Sequence, residues 1–144
     1  MLPEDLRQTG VVVMQAINIS VKNKSGEDLL DPANANGIKK FKIYYLVNGE
    51  KKLYFNSYMD APLGYRIWKF PAKEFYYLNV LMDGGIGIHE TQTFLQLGDS
   101  PALDTLKAQY RTDPTNIIAE KVWHNDQLVW KMEDGEPAFE IIIP

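Results

Sequence analysis

"FKIYYLVNGEKKLYF", residues 41–55, decides the fold class. Phe41, Ile43 and Tyr45 alternate on one side of Asn48-Gly49, and Leu53 and Phe55 alternate on the other. An extended chain points successive side chains to opposite faces, so a period of two marks a half-buried strand. Asn-Gly supplies the two positive φ angles of a type I′ turn, the strongest short-range signal for a β-hairpin. Residues 39–58 are therefore expected to form two antiparallel strands.

The same period recurs on both sides of this stretch. "MQAINISVKN" (14–23) sets Ile17, Ile19 and Val21 on one face of a strand. In "GYRIWKF" (64–70), Tyr65, Ile67 and Lys69 oppose Arg66, Trp68 and Phe70. Pro62 and Pro71 bracket that run, which suits a short edge strand because proline cannot donate to a ladder. "EFYYLNVLMDGG" (74–85) is nearly continuous apolar chain and reads as a central strand covered on both faces. "ETQTFLQLG" (90–98) alternates and stops at Gly98. "SPALDTLKAQYR" (100–111) fits two periods. Leu103, Leu106 and Tyr110 have helical spacing, whereas Leu106, Ala108 and Tyr110 have strand spacing, and the strand reading is preferred from Asp104 onward.

"NIIAEKVWHNDQLVWKM" (116–132) is a second hairpin, turning at Asn125-Asp126. With that turn His124 faces Gln127, Trp123 faces Leu128 and Trp130 faces Lys121, which sets Trp123 and Trp130 on one face. "PAFEIIIP" (137–144) closes the chain as a last strand. The sum is about nine strands with turn signals every 8–12 residues or so, the spacing of an all-β sandwich or barrel. Residues 1–10 are polar and aperiodic and read as a tail or linker, leaving residues 11–144 as one domain.

Composition narrows the function. The 144 residues are 45% hydrophobic, 24% charged and 12% aromatic, ordinary for a globular domain and rich in residues that suit a pleated sheet. The net charge is −4 and the lysines are scattered, so no basic stripe is present to neutralise phosphates and no nucleic-acid partner is expected. With no cysteine, the chain forms neither disulfides nor thiolate metal sites. "VVVM" (11–14) is too short for the core of a signal peptide.

Four groups of residues are candidate sites. "SGEDLLDPANANG" (25–37) gathers Asp28, Asp31, Asn34 and Asn36, four side-chain oxygens of the hard type that calcium takes. Its spacing is not that of an EF-hand loop, and the same letters make turns for backbone reasons, so a structural loop is preferred and calcium is the only cofactor considered. "DGGIGIHE" (83–90) lacks the last glycine of a dinucleotide fingerprint, and reads as an inter-strand loop. His89 and His124 stand 35 residues apart, and His124 is expected to be exposed at a hairpin tip. No serine lies in a G-x-S-x-G elbow, so no catalytic residue is assigned. The aromatics Tyr65, Trp68, Trp123 and Trp130 form either core or, if aligned on one exposed face, a platform for sugar rings.

"SGEDLLDP", the Tyr-rich strand, "LDTLKAQYRTD" and "KVWHNDQLVWK" together resemble a family of uncharacterised exported lipoproteins of Bacteroides-type gut bacteria. Members carry a G-x-D-L-L-D-P loop and a closing V-W-x-N-x-x-L-V-W hairpin, and the likeness runs from about Val13 to the end. The resemblance implies an immunoglobulin-like β-sandwich, export to the periplasm or outer-membrane surface, and attachment through a lipidated cysteine that lies outside this sequence. It carries no catalytic residues, and it favours a strand over residues 104–111. The combined expectation is a single antiparallel β-sandwich, immunoglobulin-like, acting as a non-catalytic extracytoplasmic binding or adhesion module. Its partner would be a cell-surface protein or glycan, with the membrane reached only through the lipid anchor. The alternatives are a small glycan-directed hydrolase and a calcium-stabilised structural domain.

Overall fold

A computed structural model describes residues 12–58 and 61–144; the tail expected over residues 1–10 lies outside them. In chain order the strands are β1 (Val13–Met14), β2 (Ala16–Asn23), β3 (Phe41–Val47), β4 (Glu50–Leu53), β5 (Tyr65–Trp68) and β6 (Tyr77–Leu81). They continue with β7 (Glu90–Leu97), β8 (Asp104–Tyr110), β9 (Ile117–His124), β10 (Gln127–Lys131) and β11 (Ala138–Ile143). A single 3-10 turn (Met132–Asp134) is the only helical element among the described residues.

These strands form two sheets. The larger runs β1-β9-β8-β7-β3-β4, with β10 also paired to β9, and the smaller runs β11-β2-β6-β5. Three antiparallel hairpins, β3–β4, β5–β6 and β7–β8, make up most of this order. The chain changes sheet between β1 and β2, between β2 and β3, between β4 and β5, between β6 and β7, and between β10 and β11. Strand alternation explains how the sheets meet. Ile17, Ile19 and Val21 of β2 and Leu78 and Val80 of β6 are fully buried on the inner face of the small sheet. They pack in one cluster with Ile43, Leu95, Leu106, Ala108 and Val122 of the large sheet. The result is a sandwich-like all-β architecture around one core. Each fully buried aliphatic side chain of this kind contributes about 1.5–3 kcal/mol relative to exposure.

The turns follow their chemistry. Asn48 and Gly49 have φ of 54° and 82°, and Asn125 and Asp126 have 48° and 71°, so both hairpins reverse through paired left-handed residues. The 100–111 ambiguity resolves as strand from Asp104, because β8 is hydrogen-bonded on both sides by β7 and β9 and alternates buried and half-buried residues. β5 is the edge of the small sheet and β6 is interior to it, as their proline brackets and apolar run imply.

Three features depart from expectation. Among the described residues there are eleven strands where about nine were expected, the two-residue β1 being too short to show a period. The pairing is not wholly antiparallel, since β1 runs parallel to β9 and β11 parallel to β2. To reach β2, the chain leaves β10 through the 3-10 turn and crosses to the free edge of the small sheet. Finally, the register of the β9–β10 hairpin shifts between Leu128 and Trp130. Val129 is the extra residue of a bulge, so Trp130 pairs with Val122 and not with Lys121. One inserted residue reverses the face of everything after it. Trp130 therefore points into the core, at 3% exposure, while Trp123 points outward.

Candidate functional site

The four aromatic candidates do not come together. Trp130 is in the core, where its indole N–H donates to the Gly135 carbonyl at 3.2 Å. Tyr65 lies on the inner side of β5, its ring 5.4 Å from that of Phe41. Trp68 and Trp123 lie on the outer faces of opposite sheets. Trp68 is half-buried in a chain of rings, 5.3 Å from Phe70, which is 5.7 Å from Tyr77, which is 5.1 Å from Phe75. The Arg66 guanidinium covers the Trp68 ring at 4.2 Å, and its indole N–H donates to Asn18 Oδ1 at 3.1 Å. Trp123 is covered in the same way by the Lys107 ammonium at 4.5 Å. Both exposed-face tryptophans thus spend a ring face on a cation of their own chain.

In the loop of residues 25–37, polar side chains are used internally. Asp28 accepts from the Leu30 amide with one oxygen, at 3.0 Å, and from the Tyr76 amide with the other, at 2.9 Å. Asp31 accepts from the Ala33 amide and Asn34 from the Asn36 amide, each two residues on. These are turns of the kind Asp and Asn make with their own backbone. Asn36 is exposed. The Lys39 ammonium reaches the carbonyls of Pro32 and Asn34 at 3.2 and 3.3 Å, so the loop carries a cation supplied by the chain. Gly37 closes it, since a Cβ there would stand 3.0 Å from the Asn34 carbonyl oxygen and 3.2 Å from that of Leu29. Among the described residues no three His, Asp or Glu side chains gather as metal ligands would.

A deep concavity lies at the end of the sandwich toward which β7 and β9 run. It is a cleft of about 740 Å³ between the end of β11 and the large sheet, a volume in the range of small-molecule sites. Its apolar surface comes from Leu29 and Ile38 of the first long loop, Leu97 of β7, and Ile141 and Ile143 of β11. The polar surface comes from Lys39, Lys40, Asp99, Ser100, Asp104, His124 and Asn125. β11 supplies Ile141 and Ile143 because it lies against β2 with Ile141 beside Val21 and Ile143 beside Asn23, facing the core where the two sheets part.

His124 and Asp104 form the fixed polar element of this cleft. His124 Nε2 lies 2.9 Å from Asp104 Oδ2, with the two side chains 19% and 22% exposed. The imidazole also packs against Phe139, ring centres 5.3 Å apart. The following turn is tied down from both sides, since the Asn125 amide donates to the Thr105 carbonyl and the Thr105 amide donates to Asn125 Oδ1. The expectation of an exposed His124 is corrected. His124 is half-buried, although the turn after it is exposed, because β8 pairs along β9 up to Leu106 opposite His124, which brings Asp104 alongside. Local spacing could not show this. The two residues are 20 apart, and only the β8–β9 register joins them.

His89 is exposed at the other end of β8, where its carbonyl accepts from the Tyr110 amide, so the two histidines do not meet. A smaller hollow of about 330 Å³ near that end includes Asp83, Ile88 and Glu90. Burial holds the Asp83 carboxyl above its usual range, partly offset by the Gly84 amide. The Asp83 carbonyl accepts from the Tyr110 and Thr91 hydroxyls, and the Tyr45 hydroxyl donates to the Leu81 carbonyl at 2.7 Å. Burial pushes the Tyr110 phenol up to about 12 and raises that of Tyr45 further. A side chain at Gly84 would stand 2.9 Å from the Tyr110 ring, which fixes glycine at the start of this loop.

No protein-family model matches the chain, no curated protein matches its sequence, and no solved structure matches it.

Proposed function

We propose that this chain is a non-catalytic binding module of an exported, lipid-anchored bacterial surface protein, and that the ligand enters the cleft at the β11 end of the sandwich. The carrying observation is the cleft itself: about 740 Å³, walled by aliphatic side chains, with the His124–Asp104 pair set into it. A mostly apolar concave site with a few convergent polar groups is where a fold of this kind accommodates a ligand. Three of the polar side chains there, Lys39, His124 and Ser100, are engaged structurally. Lys39 holds two carbonyls, His124 holds Asp104, and the Ser100 hydroxyl donates to the Ala102 carbonyl at 3.2 Å. That arrangement suits recognition better than attack by a nucleophile. The order of strands supports an immunoglobulin-like core. β2-β6-β5 faces β8-β7-β3-β4, and the chain changes sheet where such sandwiches change it. β9, β10 and β11 are additions at the edges. Export, the lipid anchor and a cell-surface protein or glycan as partner rest on the likeness of the 25–32 loop and the closing hairpin to the exported lipoproteins.

The test is a binding screen across glycans, peptides and amphiphiles with two proteins, wild type and Leu97→Trp, which fills the cleft from one wall. Ligands retained by wild type and lost by the variant support the reading. Ligands bound equally by both place the site elsewhere and refute it. One observation favours a second reading, the glycan-directed hydrolase: the raised carboxyl of Asp83 shares a hollow with Glu90. Aryl-glycoside turnover abolished by both Asp83→Asn and Glu90→Gln would establish it, and the absence of turnover in wild type would remove it.

A further inference from the structure

The composition of the cleft says more about its ligand than its size does. The chain has 17 aromatic residues, three Trp, eight Tyr and six Phe, yet none lines the cleft. Sugar rings and nucleobases are held by stacking on aromatic faces, and the one ring there, the His124 imidazole, is tied to Asp104 and packed against Phe139. What the cleft offers is branched aliphatic surface, Leu29, Ile38, Leu97, Ile141 and Ile143, where the inner faces of the two sheets separate. Methylene groups are the natural complement of that surface, since each one buried is removed from water and needs no hydrogen-bond partner. The polar residues carry both signs in balance, Lys39 and Lys40 against Asp99 and Asp104. A charged head group of either sign would meet a like charge, whereas hydroxyls would find acceptors on Asp104 and Asn125 and a donor in Lys40. We infer that the cleft binds the aliphatic chain of an amphiphile whose head group is uncharged and rich in hydroxyls. The inference rests on the reading of this cleft as the ligand site and gives that ligand a chemical class.

The test is an amide chemical-shift titration of the full chain with n-octyl β-D-glucoside below its micelle-forming concentration. Glucose and sodium octanoate serve as the head-only and charged-head arms. Octyl glucoside is expected to shift the amides of residues 97–100 and 141–143 saturably. Glucose should leave them unmoved, and octanoate should bind more weakly. Leu97→Trp or, independently, Ile143→Trp should weaken octyl glucoside binding by about tenfold or more, and amides remote from the cleft report whether each variant is folded. Leu128→Ala, on the exposed outer face, should bind as wild type does. Glucose shifting the same amides as strongly would overturn the aliphatic assignment while leaving the cleft as the site, and octanoate binding as tightly would overturn the uncharged head. Absence of saturable shifts with octyl glucoside also overturns the assignment. Saturable shifts confined to the faces of Trp68 or Trp123 would overturn both the assignment and the reading it rests on.

Discussion

Replacing Trp130 with alanine tests the bulge that separates this structure from a plain reading of its sequence. A tryptophan side chain buries about 150–250 Å², which at about 25 cal/mol per Å² is about 4–6 kcal/mol as an upper bound. Core truncations of Phe and Trp cost about 3–5 kcal/mol, and the bond from the indole to the Gly135 carbonyl contributes about 1 kcal/mol of this. The expected loss is about 4 kcal/mol, a large part of the roughly 5–15 kcal/mol that stabilises a domain. In urea, with an m value of about 2 kcal/mol per M, the midpoint should fall by about 2 M. Trp123→Ala removes a half-exposed ring beneath Lys107 and should cost about 1 kcal/mol or less. In a Trp68→Phe, Trp123→Phe background, Trp130 should emit at short wavelength and resist acrylamide. Deleting Val129 should leave that emission blue, because Trp130 then pairs with Val122 without a bulge. If Trp130→Ala costs no more than Trp123→Ala, or if acrylamide quenches Trp130 readily, the register shift is wrong and the two rings share a face.

Other expectations concern titration and the loop of residues 25–37. The Asp83 carboxyl is raised in the folded state, so its charge opposes folding; that penalty is absent below the unfolded value near 3.8 and grows as pH rises through the folded value. Asp83→Asn should therefore melt higher than wild type at pH 7, by a few degrees at most for a partly exposed group, with the difference closing toward pH 3. Equal melting at pH 7 would contradict the burial. Tyr110, held up to about 12, stabilises the fold fully below about pH 10, and that stability is lost as pH rises toward 12. Ultraviolet titration should show Tyr45 and Tyr110 ionising only with alkaline unfolding, whereas all eight tyrosines titrating in the folded state near pH 10 would refute it. Calcium at millimolar concentration should leave the melting temperature where a chelator leaves it, because Asp28, Asp31 and Asn34 already accept backbone amides. A rise of about 5 °C or more would show a calcium site in the loop.

Much of the fold was legible because a sheet writes itself in a period of two. Ile17, Ile19 and Val21 alternate in sequence and are all fully buried. The Asn-Gly and Asn-Asp dipeptides mark their turns because few other residues tolerate those φ angles. Legibility ended where a single residue changes phase or where partners are distant in the chain. Val129 carries no mark that it would bulge, and without it Trp130 reads as a neighbour of Trp123. The parallel pairing of β11 with β2 joins residues about 120 apart, which no local pattern reports. The cleft suffers most from this. Its walls come from the loop before β3, the end of β7, the β9–β10 turn and β11, each ordinary on its own. The aromatics drew attention as a platform because tryptophan is rare. Yet Trp68 and Trp123 are sheathed by Arg66 and Lys107, while the aliphatic residues of the cleft have no signature beyond that of core.

The most direct measurement is hydrogen–deuterium exchange of the full chain with and without a ligand retained in the screen. Binding in the cleft should slow exchange together at three segments far apart in sequence: residues 97–100, 124–125 and 141–143. Slowing confined to the Arg66–Trp68 face, the Lys107–Trp123 face or the hollow around Asp83 and Glu90, with those three segments unchanged, would contradict the assignment.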